Sequence, residues 1–525
     1  MKAKATRNLN RILGVDFGVQ PMSKNIVVFS DGTGQDGGVR PEQRMSNVYK
    51  LYRACRVGPE SGIDPREQVA FYDAGLGTDD GSTALTAPMR FLQKLLGSVT
   101  GRGVTTNIAE CYTFIINHYQ PGDRIFLIGF SRGAYTVRAV ADLIRLCGIP
   151  TRMPSGPLPV FRRAIDDIAQ EAVNNVLEHG AGHPREKFED EREELARRFR
   201  DKYGSHHESG EEFRSNAAPY FIGVFDTVAS LGAKGLRRWL IQAGVGVFYA
   251  LFLAVVSALP SAALAAILFA AFDWPFWPTT FIILALAVTG IGGWLLWQRD
   301  RLYRKIMRDF PNKGDISRHR AEWKGEHFNR LLSRFVTFAR AANAIDETRA
   351  DFMRLPWGPS KRVAFDAEID GHQRFVQLWF AGNHSDIGGS YPETESRLSD
   401  IALKWMVEEA TKIPNGLKVD GLRSPGDSTS NPKLRVFPAS DGLQHCEIAG
   451  MRDTLDRLKP TWLARLMSSK NWTIKIREID PEAPIHPSVV ERFELASAPK
   501  CDGSGPYRPE ALRNHKQFRH YYSED

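Results

Sequence analysis

One long apolar segment constrains the fold of this chain more than any other feature. Between Trp239 and Trp297 the sequence carries a single charged residue, Asp273. A helix needs about 20 apolar residues to span the hydrocarbon core of a bilayer, and this segment is long enough for two such helices. We therefore expect two membrane spans, at about 243–271 and 279–297, that form a helical hairpin. A buried helical pair inside a large soluble domain is the alternative.

The residues around these spans favour the membrane interpretation. The central turn, DWPFWPTT, combines proline with tryptophan, a residue enriched at membrane interfaces, and Pro260 is expected to kink the first span. Basic residues flank the segment on both sides: Lys234, Arg237, Arg238, Arg299, Arg301, Arg304 and Lys305. Because flanking positive charge stays on the cytoplasmic side, both ends are predicted to be cytoplasmic, and the expected location is the bacterial inner membrane.

The pentapeptide GFSRG predicts a catalytic nucleophile. An apolar strand at about 124–128 leads into Ser131, and a helix is predicted from about Gly133 to Leu146. A serine between two glycines on a strand–turn–helix is typical of the nucleophile elbow of α/β-hydrolases. Gly129 and Gly133 are then the positions where a side chain would collide with the neighbouring backbone. A chance match is the alternative for the five residues alone, and the strand–turn–helix context argues against it.

Strand and helix patterns alternate around this motif. The sequence predicts strands in KNIVVFSDGTG, QVAFYDAG, PYFIGVFDTVASLG and RFVQLWFAGNHSDIGGSY, and helices at about 105–119, 320–345 and 398–413. Residues 185–215 are expected to form a charged, solvated helical insertion. This alternation predicts an α/β-hydrolase-like fold, with a mostly parallel sheet covered by helices on both faces. The predicted divisions are a basic N-terminal segment (1–23), a first hydrolase part (24–238), the transmembrane hairpin (239–298), a second hydrolase part (299–412) and a C-terminal region packed on it (413–525).

A serine nucleophile requires a base to take its proton and a carboxylate to orient that base. Asp226 follows one predicted strand, and His384 follows another, with Asp386 two residues later. His486, in the tail, is a second candidate base. Two triads are therefore open: Ser131–Asp226–His384, which we favour, and Ser131–Asp386–His486. For His384, a loop histidine that caps the next segment is the structural alternative.

The loop SDGTGQDGG is the predicted second half of an oxyanion hole. One backbone N–H should come from Arg132, the residue after the nucleophile, and the other from Gly32 or Thr33. Asp31 is expected to fix this loop, since no partner residues for a metal ion accompany it. The glycines do not form a phosphate-binding loop, because no Gly-Lys-Ser/Thr follows them. We therefore expect neither a cofactor nor a metal ion.

Charge and cysteine content limit the other functional classes. The net charge is +8 at pH 7, but the basic residues are clustered and no nucleic-acid-binding module accompanies them, so we expect no nucleic-acid partner. The five cysteines lack CxxC or metal-ligand spacing, and we interpret them as buried or free thiols in a reducing compartment. The basic N-terminal segment lacks the apolar core of a secretory signal.

The ordered motifs resemble a known family. They are VVFSDGTG with SNVYKLY, FYDAGLGT, PGDRIFLIGFSRGAYTVRAVADLI, GVFDTVASLG, LWFAGNHSDIGGSY with LSDIALKWM, and IHPSVVER. Together they are similar to the bacterial and fungal α/β-hydrolase domain of type VI secretion phospholipase effectors, from about residue 24 to 410 and again near His486. The resemblance implies a Ser–Asp–His hydrolase of lipid esters in which Ser131 is the nucleophile. In ARAANAIDETR the chain departs from the family, with Ala341 where a histidine is usual.

Three functions are compatible with these features. The favoured one is a membrane-anchored serine hydrolase of acyl esters (EC 3.1.1), a phospholipase or lipase that acts on phospholipid or another acyl ester beside the bilayer. The second is a type VI secretion antibacterial effector, with an immunity or secretion-apparatus protein as its partner. The third is a non-catalytic membrane scaffold on a hydrolase fold, although a scaffold has no need of the nucleophile or of the elbow glycines.

Overall fold

The computed structural model describes residues 23–32, 35, 44–75, 102–211, 214–228, 235–323, 332–357, 367–423, 434–446 and 474–522. Within them, six strands form the central sheet: β1 (Asn25–Ser30), β2 (Gln68–Asp73), β3 (Arg124–Phe130), β4 (Pro219–Phe225), β5 (Phe338–Ala344) and β6 (Phe375–Phe380). The helices of eight or more residues are α1 (Asn47–Cys55), α2 (Arg102–His118), α3 (Ser131–Cys147), α4 (Arg163–Glu171), α5 (Glu189–Tyr203), α6 (Gly235–Phe272), α7 (Phe276–Tyr303), α9 (Arg397–Lys412) and α10 (Pro487–Glu494), and the short α8 is His384–Gly388.

The strand order of the sheet fixes where a ligand crevice lies. The order is β6-β5-β4-β3-β1-β2, and every neighbouring pair is parallel. The chain first adds β2 on one side of β1 and then returns to add β3 on the other side, so the direction of winding reverses between β1 and β3. In open parallel sheets, ligands bind outside the carboxyl ends of the strands at such a reversal. The topology therefore points to the segments that follow β1 and β3.

Helices cover both faces of the sheet, as the strand patterns predict. All six residues of β1 are buried. Ile26 and Val28 pack into one apolar core with α2 and α3, whereas Val27 and Phe29 pack into a second core with α1 and α9. Each buried side chain of this kind contributes about 1.5–3 kcal/mol to folding. The mostly parallel α/β architecture expected from the sequence is thus confirmed.

One predicted helix is wrong. The sequence predicted helix at about 320–345, but Phe338–Ala344 forms β5, with all seven residues buried between β4 and β6. Alanine favours helices in isolation, and four of these seven residues are alanine. Tertiary packing overrides that preference here, because the strand lies in the sheet interior and its buried Arg340 forms an ion pair with Glu409 of α9.

The charged insertion is also more buried than predicted. It contains a short 3₁₀ helix, Arg185–Phe188, followed by α5. Ala196, Phe199 and Tyr203 of α5 join the core on the α3 side of the sheet, so only part of the helix surface faces solvent. The high charge of this segment masks that apolar stripe in the sequence.

The cysteines are not all thiols. Cys446 and Cys501 form a disulfide with a Cα–Cα distance of 5.6 Å, whereas Cys55, Cys111 and Cys147 are free and buried. The 55-residue separation of the bonded pair follows no local spacing pattern, and only the folded chain brings the two side chains together. The prediction that all five cysteines are thiols is therefore wrong.

The apolar segment forms two long helices that pack on each other, α6 and α7. Both Gly246–Phe272 and Phe276–Tyr303 are long and apolar enough to cross a membrane, and in each only 11% of the most apolar 18-residue window is buried within the protein. Many of their large apolar side chains are exposed, Leu259 to 82%.

A third apolar core joins the C-terminal region to the sheet. Trp379 of β6 and Ile345, just after β5, pack with Val489 and Phe493 of α10 and with Tyr507. Smaller elements complete the described chain: a π-helical turn, Ala172–Leu177; the 3₁₀ helices Ala350–Phe352, Glu393–Glu395, Glu510–Leu512 and Arg519–Tyr521; and the strand pairs Arg152–Met153 with Gly156–Pro157, Arg304–Arg308 with Ile316–Arg320, Glu368–Ile369 with His372–Gln373, Leu422–Arg423 with Leu434–Arg435, and Ala498–Lys500 with Gly503–Gly505.

Candidate active site

Ser131 lies on a strained turn between β3 and α3. Its φ is +58°, in the left-handed region that residues other than glycine rarely adopt. A Cβ atom on Gly129 would come within 2.6 Å of the Gly133 carbonyl oxygen, and one on Gly133 within 2.1 Å of the Ser30 carbonyl oxygen. Glycine is therefore required at both positions, for the steric reason the motif implies.

Asp226 directly follows β4, so its carboxylate lies at the same edge of the sheet as Ser131. Its backbone φ of +35° also departs from ordinary strand geometry. The Asp226 N–H donates to the Ala342 carbonyl at 2.8 Å, and its Oδ1 accepts from the Ala344 N–H at 3.1 Å. The side chain is completely buried, and these bonds to the end of β5 fix its direction.

His384 pairs with this carboxylate. The His384 Nδ1 and Asp226 Oδ2 atoms are 2.6 Å apart. The His384 ring is buried and lies 4.6 Å from the ring of Phe130 and 5.0 Å from that of Phe352, measured between centroids. Its Nε2 atom is buried and has no hydrogen-bond partner in the part of the chain that the structure describes. With Nδ1 donating to Asp226, Nε2 is left as a proton acceptor.

Contacts between their neighbours link Ser131 to this pair. Phe130, whose ring contacts His384, immediately precedes Ser131. The Val228 N–H, two residues after Asp226, faces the Ser131 carbonyl oxygen at 3.5 Å. The structure thus gathers Ser131, Asp226 and His384 at one edge of the sheet.

Arg477 completes the environment of Asp226, although no motif in the sequence marks it. Its Nη1 donates to Oδ1 and its Nη2 to Oδ2, both at 2.9 Å, which makes a buried bidentate ion pair. Burial alone would raise the pKa of Asp226, but the charge of Arg477, the hydrogen bond from His384 and the hydrogen bonds from Arg477 outweigh it. They hold the pKa of this carboxyl well below its usual range.

Glu347 is a second residue that the sequence did not indicate. Its Oε2 accepts the backbone N–H of His384 at 3.2 Å, and its carboxylate is paired with Arg349 at 2.8 Å. Glu347 comes three residues after β5, so the incorrect helix prediction for this region hid its position at the edge of the sheet.

The alternative triad is not assembled. Asp386 bonds His445 instead of His486: its Oδ1 is 2.7 Å from His445 Nδ1, and its Oδ2 accepts the His445 N–H at 3.1 Å. Asp386 also closes the capping box of α8 with Asn383. Burial raises the pKa of Asp386, although the hydrogen bonds from His445 oppose this shift.

His486 has a structural position of its own. It precedes α10, its Nδ1 accepts the Ser488 N–H at 3.2 Å, and its ring stacks on Phe380 at 4.5 Å. Burial lowers the pKa of His486 to about 4. A Ser131–Asp386–His486 triad is therefore contradicted by the partners that both residues have.

The predicted oxyanion-hole residues divide into three cases. Gly32 lies beside the nucleophile, since a Cβ on it would be 3.3 Å from the Ser131 Cβ, but its N–H already donates to the Asp31 Oδ1 at 2.7 Å. It is therefore not the free donor that we predicted. Arg132 is the second residue of α3, and burial lowers the pKa of its side chain to about 10. Thr33 lies outside the described residues.

Asp31, which the sequence predicts to fix the loop after β1, bonds the described residues at both ends of that loop. Its carboxylate accepts hydrogen bonds from Ser46, from the Tyr72 hydroxyl at 2.7 Å and from Gly32. Burial raises the pKa of Asp31 to about 6 despite these bonds.

Comparisons with known proteins identify a family and two similar proteins. A family model described as the type VI secretion system phospholipase effector Tle1-like catalytic domain matches residues 24–251 and 305–409. The chain is 23% identical over 438 residues to the uncharacterized protein YEL023C of Saccharomyces cerevisiae, a match that covers 76% of this chain and 59% of the yeast protein. Among solved structures, an uncharacterized protein from Pseudomonas aeruginosa overlaps with 80% of this chain at 14% identity and a TM-score of 0.31.

This chain spans only part of both relatives, 59% of the yeast protein and 50% of the Pseudomonas protein. The family match itself extends over more than half of the chain and is interrupted only at the apolar helices. It includes β1 to β6, the serine elbow and the segments that carry Asp226 and His384. The chain therefore belongs to the family of type VI secretion system phospholipase effector Tle1-like catalytic domains.

Proposed function

We propose that this protein is a membrane-anchored serine hydrolase of lipid acyl esters, with Ser131 as nucleophile, His384 as base and Asp226 as the orienting acid. The observation that carries the proposal is the buried 2.6 Å contact between Asp226 and His384 Nδ1 at the sheet edge where Ser131 occupies its strained turn. The family's phospholipase character supports the ester-hydrolase class.

The geometry suggests how the proton moves. The Nδ1–H of His384 donates a hydrogen bond to Asp226, which leaves Nε2 unprotonated. Nε2 can then take the proton of the Ser131 hydroxyl as the Ser131 oxygen attacks the ester carbonyl. The imidazolium that forms is stabilised by the Asp226 carboxylate and later protonates the leaving alkoxide. His384 then takes a proton from a water molecule as that water attacks the acyl-enzyme, and the proton passes to the Ser131 oxygen as the carboxylic acid leaves.

The tetrahedral intermediate needs two donors for its oxyanion. We assign one to the backbone N–H of Arg132, at the first turn of α3, where the helix dipole also favours negative charge. We assign the second to the loop after β1, at Thr33, because the Gly32 N–H is taken by Asp31.

The apolar helices support a membrane location. Gly246–Phe272 has 27 residues, and at 1.5 Å per residue it is roughly 40 Å long, enough to cross a hydrocarbon core of about 30 Å with some tilt. Large exposed apolar patches are unusual on soluble proteins, and the most apolar 18-residue window of each helix, of which only 11% is buried, argues against a soluble core. We propose that α6 and α7 span the bilayer as a hairpin, with the hydrolase domain on the cytoplasmic side.

The domain divisions follow from this arrangement and are part of the proposal. In it, the hydrolase fold comprises 24–238 and 299–412, the hairpin is 239–298, the segment 1–23 precedes the fold, and the C-terminal region 413–525 contributes to the active site through Arg477. An antibacterial effector with an immunity or secretion-apparatus partner is the second candidate function, favoured by the effector role in the family's description.

Covalent labelling tests the proposal. A fluorophosphonate should label the detergent-solubilised wild type and not Ser131→Ala, and only the wild type should release fatty acid from phospholipid vesicles. Triad residues act as a unit, so the expected loss of activity is several orders of magnitude. Equal labelling of both proteins would disprove the assignment of Ser131, and a wild type that neither labels nor turns over lipid would favour the scaffold function.

A further inference from the structure

A cluster of metal-ligating side chains lies outside the proposed active site. His179 comes shortly after the π-helical turn Ala172–Leu177, Glu191 is in the first turn of α5, and His319 is on the strand Ile316–Arg320. One ring nitrogen of each histidine and one carboxylate oxygen of Glu191 all lie within 4.8 Å of one another. Among the described residues, no other group of three or more His, Cys, Asp or Glu side chains converges in this way.

Packing holds the three side chains in place. The His179 Nε2 and Glu191 Oε2 atoms are 2.6 Å apart, and the His179 ring meets the His319 ring edge-on at 4.5 Å between centroids. The ring of Phe188 stacks on His319 at 4.0 Å. His179 is buried, and Glu191 and His319 are half-buried. The cluster therefore has the arrangement of a built site rather than of mobile surface groups.

The His319 ring is not satisfied by protein hydrogen bonds alone. Its Nε2 accepts the Gly180 N–H at 3.1 Å, so a neutral ring carries its proton on Nδ1. That Nδ1 is buried and has no partner within the described chain. Unpaired buried polar atoms are rare in native proteins, and a bound ion or water satisfies many of those that occur. Coordination of an ion through either ring nitrogen replaces the Gly180 bond.

The charges around the cluster leave Glu191 available for a cation. Two basic side chains that act on His179 have carboxylates of their own: Arg192 lies 3.7 Å from Glu189, and Lys305 lies 3.1 Å from Glu178. Glu191, in contrast, has His179 as its partner. An added cation therefore meets one uncompensated carboxylate and two imidazoles.

We propose that His179, Glu191 and His319 bind a divalent ion of the zinc type, with water in the remaining position. Two imidazoles and one carboxylate are a ligand set that zinc accepts, with bonds of about 2.0–2.2 Å. Tetrahedral geometry with such bonds separates the ligand atoms by roughly 3.3 Å. When the ion binds His179 through Nε2, the neutral ring carries its proton on Nδ1 instead, the contact with Glu191 opens, and His319 moves closer.

The position of the ion suggests a structural role. The strand that carries His319 belongs to the hairpin Arg304–Arg308/Ile316–Arg320, which directly follows α7. His179 and Glu191 precede α6 in the chain. An ion at this site would tie the segments before and after the apolar helices together and so fix where the helix pair leaves the hydrolase fold. The ligands are 12 and 128 residues apart along the chain, which is why no metal-binding spacing is visible in the sequence.

Metal titration of the full chain tests this inference independently of any hydrolase activity. The detergent-solubilised protein, freed of its affinity tag and dialysed against a chelator, should bind one Zn²⁺ per chain. Because each histidine supplies one of only three protein ligands, His179→Ala and His319→Ala should each weaken binding by at least about 100-fold. Glu191→Gln keeps a polar side chain beside His179 and should still weaken binding at least about tenfold.

His206→Ala is the matched control, because His206 forms a 2.6 Å pair with Asp201 but has no second histidine at that pair. Its Zn²⁺ affinity should equal that of the wild type. Co²⁺ added to the wild type should give the visible absorption of a four-coordinate site, a result that needs no variant to fold. A wild type that binds no Zn²⁺, a Zn²⁺ affinity that is unchanged in both His→Ala variants, or an equal loss of affinity in His206→Ala would overturn the proposal.

Discussion

Replacement of Arg477 should change the pH dependence of catalysis more than its rate at the optimum. Arg477 is the main counter-charge to Asp226, and both side chains are buried. In Arg477→Gln the Asp226 carboxylate keeps His384 as its only ion-pair partner among the described residues. The carboxylate then favours the imidazolium form of His384, which cannot accept the Ser131 proton. We therefore expect activity to fall at low pH while it is retained above neutrality.

The structure sets the size of this effect. His384 Nδ1 and Arg477 Nη2 both bond Asp226 Oδ2, at 2.6 and 2.9 Å, so they are at most about 5.5 Å apart. Two unit charges at that distance interact by about 3 kcal/mol at an effective dielectric constant of about 20. Since about 1.36 kcal/mol corresponds to one pH unit, an interaction of this size corresponds to about two pH units. Water and structural relaxation reduce it, and we expect the acid limb of kcat/KM to move up by about one to two pH units.

The assay is kcat/KM for a short-chain fluorogenic ester across the neutral pH range. Arg477→Lys, which keeps the charge but loses the bidentate geometry, should move the acid limb less than Arg477→Gln. Arg340→Gln is the matched control, because Arg340 forms its buried ion pair with Glu409 and not with a residue of the site. Breaking a buried ion pair costs about 3–5 kcal/mol of stability in either variant. An acid limb that stays in place in active Arg477→Gln, or one that moves equally in Arg340→Gln, would refute the reasoning.

The site and the apolar helices lead to three further predictions. His384→Ala should lower kcat of ester hydrolysis about as much as loss of Ser131, whereas His486→Ala should change it less than about tenfold; the reverse ranking would contradict the proposed triad. The wild type should remain in the membrane pellet after a carbonate wash, and a variant that lacks about 241–297 should be released into the supernatant. A wild type that is soluble without detergent would contradict the membrane hairpin. Gly133→Ala should lower the free energy of unfolding by at least about 3 kcal/mol, because its Cβ would lie 2.1 Å from a carbonyl oxygen. The control Gly58→Ala should melt like the wild type, because the space around Gly58 is open. Equal melting temperatures for the two variants would show that the elbow tolerates a side chain.

Features encoded in short stretches could be predicted from the sequence. The serine elbow is visible in five residues of sequence. The strained turn places Ser131, and the close approach of neighbouring backbone atoms allows only glycine at positions 129 and 133. The two apolar helices are local for a similar reason, since a bilayer-length run of uncharged residues is visible without any knowledge of the fold. The order of strands and helices, and with it the α/β class, follows from periodicity within each segment. Asp226 and His384 were identifiable as candidates because each follows a recognisable strand.

Tertiary structure alone decided which side chains meet. Asp226 and His384 are 158 residues apart, and they pair because of how the strands are ordered in the sheet. The pairing of Asp386 with His445 instead of His486 is likewise decided by the folded chain. Arg477 is 251 residues from Asp226, and the alternating stretch NWTIKIREI in which it stands does not show which carboxylate it pairs with. The alanine-rich segment of β5 forms a strand although its composition favours a helix, because burial in the sheet interior outweighs local propensity. Long-range contacts of this kind depend on packing free energy summed over the whole fold, which no local window of sequence contains.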